Sequence, residues 1–151
     1  MLSKSSFVSD NNTNAPKGLF KCRDLRCKIC RLYVQEGNSF VTSNGSTWFV
    51  RCYADCNSLN VLYFLTCSFC QYETYIGKTD NLRSRTNNHI TACRHGSGTD
   101  RFDNHVHHCA ITNNLSLGEP FFKLHILMVV NDYNKLLNYE THSQGHDTMN
   151  R

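Results

Sequence analysis

The chain has 151 residues, of which 40% are hydrophobic, 11% aromatic and 19% charged, and its formal net charge is +4. This composition indicates one folded domain with room for a small appendage, and the mild positive charge is compatible with a polyanionic partner. No apolar run approaches the ~20 residues that span a bilayer, and the first residues lack the apolar segment of a secretory signal, so we expect neither a membrane protein nor a secreted one.

Three segments follow one another along the chain. Residues 1–16 are rich in Ser, Asn and Thr, and we expect a disordered tail there. Residues 17–58 contain five of the nine cysteines, and we expect a zinc-binding knuckle and a β-hairpin in this segment. Residues 59–151 are expected to form the main domain.

The nine cysteines are many for this length. Their odd number and short spacings favour metal binding. The alternative is an extracellular disulfide protein, which would contain no metal and few free thiols. Zinc takes four ligands in a tetrahedron, and a Cys-x-x-Cys turn supplies two of them. A first zinc site is expected at Cys22, Cys27, Cys30 and Cys56. Cys52 is an alternative to the last ligand, and free buried thiols are the structural alternative to the whole site.

Apolar and alternating runs predict the strands. Residues 39–42 and 47–50, joined by an Asn-Gly turn, are typical of a β-hairpin. Residues 60–66 are β-branched, aromatic and apolar, which predicts a strand buried on both faces. Residues 73–77 predict a second strand, antiparallel to the first because the connection is too short for a crossover.

The next elements are two helices. A start signal at Thr79-Asp80, apolar residues at helical spacing and a stop at Gly96 predict the first, on which Cys93 is interpreted as a core thiol. A short helix is expected around residues 102–109. This helix and the Cys-x-x-Cys turn between the two strands together predict a second zinc site, with His108 as an alternative to the last ligand. Its expected ligands are Cys67, Cys70, His105 and Cys109.

The final elements are a core strand over residues 121–130 and a helix that begins at Asn131-Asp132 and carries Glu140. The order of elements predicts an α+β fold. In this fold a small, mostly antiparallel three-stranded sheet is flanked by helices and preceded by the zinc-bound cysteine segment and the hairpin.

Several side chains that can do chemistry fall close together in this arrangement. Tyr63 and Tyr75 lie on the two adjacent strands, and Arg85 and His89 lie one turn apart on one face of the following helix. Taken singly, the tyrosines are explained as strand aromatics, and the arginine and histidine as a solvated helix face, which is also our interpretation of Arg83. Their joint occurrence favours a functional site.

This combination of residues resembles a known family. The chain is similar to the GIY-YIG nuclease superfamily over residues 59–151, at Val61-Leu62-Tyr63, Tyr75-Ile76-Gly77, Arg85, His89 and Glu140. The cysteine frame, with a Cys-x-x-Cys turn between the two tyrosines, resembles the endonuclease domain of Penelope-like retroelements. The chain departs from the family motif at Val61, where the family has glycine.

The resemblance implies a GIY-YIG fold and a divalent-metal-dependent DNA endonuclease. Such an enzyme would nick a phosphodiester bond to leave a 3′-hydroxyl and a 5′-phosphate, in the service of retroelement target-site cleavage. In the implied mechanism, Tyr63 and His89 deprotonate or orient the water, and Arg85 binds the phosphate. Glu140 would hold one Mg²⁺ or Mn²⁺, because these hard cations prefer carboxylate oxygen.

The resemblance also implies supporting roles. Tyr75 would lie beside the phosphate as a hydrogen-bonding or proton-relay partner, and Lys78 would lower the pKa of a tyrosine or contact the DNA backbone. Gly77 and Asn150 would be structural residues.

Basic residues interleave with the first cysteine group and are expected to hold phosphates, with a solubilising surface as the alternative. They are Lys21, Arg23, Arg26, Lys28 and Arg31. The expected partner is double-stranded DNA, a reverse transcriptase module in cis is a further candidate partner, and an intracellular, nuclear location is expected. A second hypothesis is a zinc-stabilised nucleic-acid-binding module with little or no cleavage. Both hypotheses leave the oligomeric state open.

Overall fold

The computed structural model describes residues 16–42, 44–70, 72–98, 100–114 and 119–135. The strands are β1 (Gly18–Leu19), β2 (Ser39–Val41), β3 (Thr47–Phe49), β4 (Tyr53–Ala54), β5 (Val61–Cys67), β6 (Thr74–Thr79) and β7 (Phe122–Val129). The helices are α1 (Leu82–His95) and α2 (Arg101–Thr112), and a π-helical turn covers Ile29–Tyr33. Within these ranges, no helix has both the length and the apolar character needed to cross a membrane.

The main sheet contains three antiparallel strands in the order β6-β5-β7. The central strand β5 is buried along almost its whole length, as its run of apolar and aromatic residues predicted. Side chains alternate between the two faces of a strand, so Tyr63 and Leu65 face one side while Leu62 and Phe64 face the other. The mixed fold with an antiparallel sheet and helices is thereby confirmed.

The two helices cover the face of the sheet that carries Tyr63. Asn81 caps α1, because its side chain accepts a hydrogen bond from the backbone N–H of Ser84 at 3.0 Å. The predicted start signal at Thr79-Asp80 thus lies just before the cap. The helix ends as predicted at Gly96, whose φ of 68° is in the left-handed region that favours glycine. The second helix was predicted around 102–109, and α2 extends beyond that range at its C-terminal end.

The hairpin β2–β3 covers the opposite face of the sheet. The ring of Phe40 stacks on Phe64 and on His125, with centroids 5.5 and 4.4 Å apart. The pairing of β5 with β7 shifts between Leu62 and Tyr63, and this bulge leaves Leu127 without a ladder partner. Trp48 donates its indole N–H to the carbonyl of Leu127 at 2.9 Å, so the hairpin satisfies a backbone group that the bulge frees.

The cysteine segment joins the same core. Strand β1 pairs in parallel with β4, and Val34 forms a parallel bridge to Leu124 of β7. One continuous core cluster contains buried residues from both the 17–58 segment and the residues that follow. The boundary at residue 58 remains a prediction, although described residues on its two sides are packed together. The predicted tail lies outside the described residues apart from residue 16. Glu140, which was predicted on the final helix, and Asn150 also lie outside the described residues.

Candidate active site and metal centres

The base of the site is formed by two tyrosines whose rings pack against a glycine. Tyr63 pairs with Gly77 on the adjacent strand, and the rings of Tyr63 and Tyr75 lie 6.0 Å apart. A Cβ atom on Gly77 would lie 2.5 Å from the Tyr63 ring and equally close to the Tyr75 ring. Gly77 is therefore required by the close approach of the tyrosines, which supports the structural role expected for it.

Arg85 connects the two phenols. From the first turn of α1, its Nε donates to the hydroxyl of Tyr63 at 3.2 Å and its Nη2 donates to the hydroxyl of Tyr75 at 3.4 Å. Nη2 also forms an ion pair with Asp100 at 3.1 Å, and the side chains of this pair are 33% and 32% exposed. A third of the guanidinium side chain therefore faces solvent, where an incoming phosphate can reach it.

Arg85 and Tyr63 shift each other's pKa values. Burial acts to lower the pKa of Arg85, but the attraction of Tyr63 and Tyr75 outweighs burial and raises it. Burial holds the pKa of Tyr63 well above its ordinary value, with Tyr75 adding to the effect and Arg85 opposing it. At neutral pH, Tyr63 is therefore a protonated phenol that donates a hydrogen bond.

His89 lies beside the Tyr63 hydroxyl and is held from its other side. Its Nε2 lies 2.8 Å from the Tyr63 hydroxyl, and its Nδ1 lies 2.8 Å from Oδ1 of Asp103. His89 is fully buried, and the Asp103 side chain is only 4% exposed. The three side chains form a chain of hydrogen bonds that leads from the sheet through α1 to α2.

Asp103 was missed as a site residue in the sequence. The buried residues of α2 are Phe102, Asp103, Val106 and Ala110, so a carboxylate stands on the apolar stripe of this helix. That irregularity is the one signal in the sequence that could have found it.

The first metal centre contains the four predicted cysteines. The sulfur atoms of Cys22, Cys27, Cys30 and Cys56 all lie within 4.8 Å of one another. Four thiolates at this separation fit a tetrahedral zinc ion. The alternative ligand Cys52 is buried and lies outside this group.

The backbone and one arginine hold these sulfurs. The N–H of Cys22 donates to the sulfur of Cys30 at 3.0 Å, and the N–H of Cys30 donates to Cys27 at 3.4 Å. Burial acts to raise the pKa of Cys27, but the Cys30 N–H and the neighbouring thiols outweigh it and lower the pKa to about 7. Arg83 donates from Nη2 to Cys56 at 3.0 Å and to Cys27 at 3.3 Å. The interpretation of Arg83 as a solvated residue was therefore wrong, because its guanidinium contacts the thiols.

The second metal centre also contains its predicted ligands. Cys67, Cys70, His105 and Cys109 offer ligand atoms within 4.8 Å of one another. His105 Nε2 lies 3.2 Å from the sulfur of Cys70 and 3.3 Å from that of Cys109. This set of three sulfurs and one imidazole fits zinc, and His108 is exposed outside the group. An ion there would join the loop between β5 and β6 to α2.

A third group of potential ligands lies in the active-site region. His89, Asp100 and Asp103 are within 4.8 Å of one another, but their atoms are already engaged with Tyr63, with Arg85 and with each other. We interpret this group as a hydrogen-bond network.

The remaining predicted residues lie elsewhere. Lys78 pairs with Leu62, so it stands on the hairpin side of the sheet, opposite the tyrosine cluster. The structure therefore does not bring Lys78 together with the tyrosine hydroxyls. The five basic residues of the first cysteine group are all exposed around that centre: Lys21, Arg23, Arg26, Lys28 and Arg31.

Comparison with known families gives a match. The family model described as the GIY-YIG catalytic domain matches residues 59–149, which is more than half of the chain. No curated protein and no solved structure gives a significant match. The matched range contains both tyrosines, Arg85, His89 and Asp103.

Proposed function

The chain belongs to the GIY-YIG catalytic domain family of endonucleases, and we propose that it is a divalent-metal-dependent enzyme that nicks one strand of DNA. The observation that carries this proposal is the convergence of Arg85 on both tyrosine hydroxyls, with His89 bonded to one of them. The partial exposure of Arg85 gives the cluster an open side for the substrate.

The cluster suits the proton transfer that hydrolysis requires. Burial keeps Tyr63 in its neutral form, so we assign it the role of a proton relay. Its oxygen accepts the proton of the attacking water while its own proton passes to Nε2 of His89. The water oxygen bonds to phosphorus, and the bond to the 3′-oxygen breaks. The 3′-oxygen takes up a proton from bulk water, His89 then releases its added proton to bulk water, and the products are a 3′-hydroxyl and a 5′-phosphate.

Arg85 neutralises charge that develops on the phosphoryl oxygens. Its planar guanidinium can turn from Asp100 and Tyr75 to bind a phosphate with two hydrogen bonds. Tyr75 can then donate its hydroxyl to the same phosphate. We keep Glu140 as the proposed ligand of one Mg²⁺ or Mn²⁺, which would supply further charge neutralisation, as is typical of the family.

The proposal extends to the rest of the chain. Both cysteine centres would hold structural zinc, and the five exposed basic residues around the first centre would contact DNA phosphates. Following the Penelope-like resemblance, the 3′-hydroxyl would prime a reverse transcriptase linked in cis, and the protein would act on chromosomal DNA in the nucleus.

A plasmid-nicking assay tests the proposed activity. The wild-type protein should convert supercoiled plasmid to the open circle with Mg²⁺ or Mn²⁺ and not without them. We expect Arg85→Ala and Glu140→Ala to lower the rate by about 10²- to 10³-fold with DNA binding largely kept, because each removes a group that stabilises the transition state. Arg94→Ala is the matched control, since it removes the same charge from the other end of α1.

The assay also has an outcome that contradicts the proposal. If the wild-type protein binds DNA but leaves supercoiled plasmid uncut with either ion, the zinc-stabilised binding module becomes the better description. The exposed basic residues of the first centre are the observation that favours that alternative.

A further inference from the structure

We propose that Asp103 is a positioning residue of this nuclease, which fixes the ring of His89 so that Nε2 is free to accept the proton of Tyr63. The inference rests on the proposed function, and it adds a residue from α2 to a site otherwise built from β5, β6 and α1. Asp103 does not contact the reacting atoms and acts only through His89.

For a neutral His89 ring beside an ionised Asp103, the hydrogen-bond geometry determines the tautomer. An ionised carboxylate has no proton to donate, so the contact of 2.8 Å between Oδ1 of Asp103 and Nδ1 of His89 requires the hydrogen on Nδ1. A neutral imidazole with its hydrogen on Nδ1 has an unprotonated Nε2. That nitrogen lies 2.8 Å from the Tyr63 hydroxyl, where it must accept.

Because the site is buried, Asp103 determines which ring nitrogen of His89 carries the hydrogen. His89 is fully buried and the Asp103 side chain is 4% exposed, so water does not compete for either ring nitrogen. Without the carboxylate, Nδ1 would have no partner as strong, and the ring could carry its hydrogen on Nε2 and donate it to Tyr63. In that arrangement the relay from Tyr63 has no acceptor.

The location of Asp103 argues for a role beyond packing. A buried carboxylate costs stability unless it is paired, whereas an apolar side chain would continue the stripe that Val106 and Ala110 form on α2. Asp103 also lies close to the sulfur of Cys93, at 3.8 Å, and Gly98 leaves space beside its carboxylate. The pocket is thus shaped to hold a carboxylate against the histidine.

The variant Asp103→Asn tests the proposal with little change in shape. Its amide N–H can donate to Nδ1, which would place the ring hydrogen on Nε2. We expect the turnover number for plasmid nicking to fall by about 10²- to 10⁴-fold, while the Kd for DNA and the zinc content stay unchanged. Nitrogen-15 NMR of the His89 ring should show the hydrogen on Nδ1 in the wild type and on Nε2 in the variant.

Two further variants complete the test. Asp103→Leu removes every partner of Nδ1 and should lose turnover even if the asparagine variant keeps the original tautomer. Glu73→Gln is the control, because Glu73 is another buried carboxylate, paired with Arg101 at 3.5 Å and outside the relay. It should nick at the wild-type rate.

The outcomes separate this inference from the proposed function. A hydrogen on Nε2 in the wild-type protein overturns the inference whatever the activity, and so does full turnover by a folded Asp103→Leu variant. Absence of nicking by the wild-type protein overturns the proposed function, while the NMR measurement still decides the tautomer.

Discussion

At the scale of single residues, Gly77 shows how a missing side chain shapes the site. The rings of Tyr63 and Tyr75 pass over it at a distance that leaves no space for a methyl group. We predict that Gly77→Ala displaces both rings, destabilises the protein by about 1–3 kcal/mol and lowers the nicking rate. Urea unfolding monitored by circular dichroism, together with the plasmid assay, measures both effects. Unchanged stability would contradict the packing described for the two tyrosines.

A second residue-scale prediction concerns Arg83. Because its guanidinium donates to Cys27 and Cys56, it should stabilise the thiolates of the first centre. We expect Arg83→Gln to weaken zinc binding there by about 10- to 100-fold, as measured by competition with a chromogenic chelator. Arg94→Gln, on the same helix, should have no effect. Equal zinc affinity in the two variants would show that the arginine contacts are incidental.

The sequence predicted the roles of residues whose partners are close in the chain or that belong to a motif of several closely spaced residues. The cysteine spacings predicted the two groups of potential zinc ligands that the structure brings together, and the tyrosine motif predicted the cluster around Tyr63. Arg83 and Asp103 were missed because their roles depend on partners 27 and 14 residues away, respectively. Such contacts are made by the packing of helices, which residue spacing does not reveal.

At the scale of elements, the main strands and the hairpin were predictable because their signals are local. Runs of β-branched and aromatic residues marked β5 and β7, and an Asn-Gly turn marked the hairpin. The side of the sheet that the hairpin covers was not predictable. It depends on the bulge at Leu127 and on Trp48, which are 79 residues apart in the chain.

The hairpin also creates an acid-sensitive contact. His125 packs against Phe40 and Phe64, and burial, assisted by Lys123, lowers its pKa from 6.5 to about 4. Between these values the unfolded chain takes up a proton that the folded protein does not. The stabilisation that depends on the neutral ring is therefore complete above pH 6.5 and is lost as the pH falls towards 4.

We predict that His125→Phe reduces this acid sensitivity. Between pH 7 and 4, the variant should lose about 2–3 kcal/mol less unfolding free energy than the wild type. Urea titrations at several pH values measure the difference, and His95→Phe, at the exposed end of α1, serves as the control. Parallel pH profiles for His125→Phe and the wild type would contradict the assignment.

At the scale of the whole molecule, the cysteine segment and the nuclease range share one core. Phe40 and Trp48 cover the sheet face formed by Leu62, Phe64 and their neighbours. We predict that a protein reduced to residues 59–151 exposes this face, binds a hydrophobic dye and unfolds without a cooperative transition. Calorimetry of the shortened and full-length proteins checks this, and a sharp transition in the shortened protein would show an independent domain.

Zinc at the second centre would tie α2 to the loop between β5 and β6, and Asp103 lies two residues from the proposed ligand His105 on that helix. A chelator such as EDTA would therefore act on this enzyme at two rates. Brief exposure would strip the proposed Mg²⁺, and replenishing Mg²⁺ would restore activity at once. Long exposure would also extract the proposed zinc from the cysteine centres and free α2, after which Mg²⁺ alone would no longer restore activity. The history of a sample, and not only its present buffer, would then determine how fast it cuts.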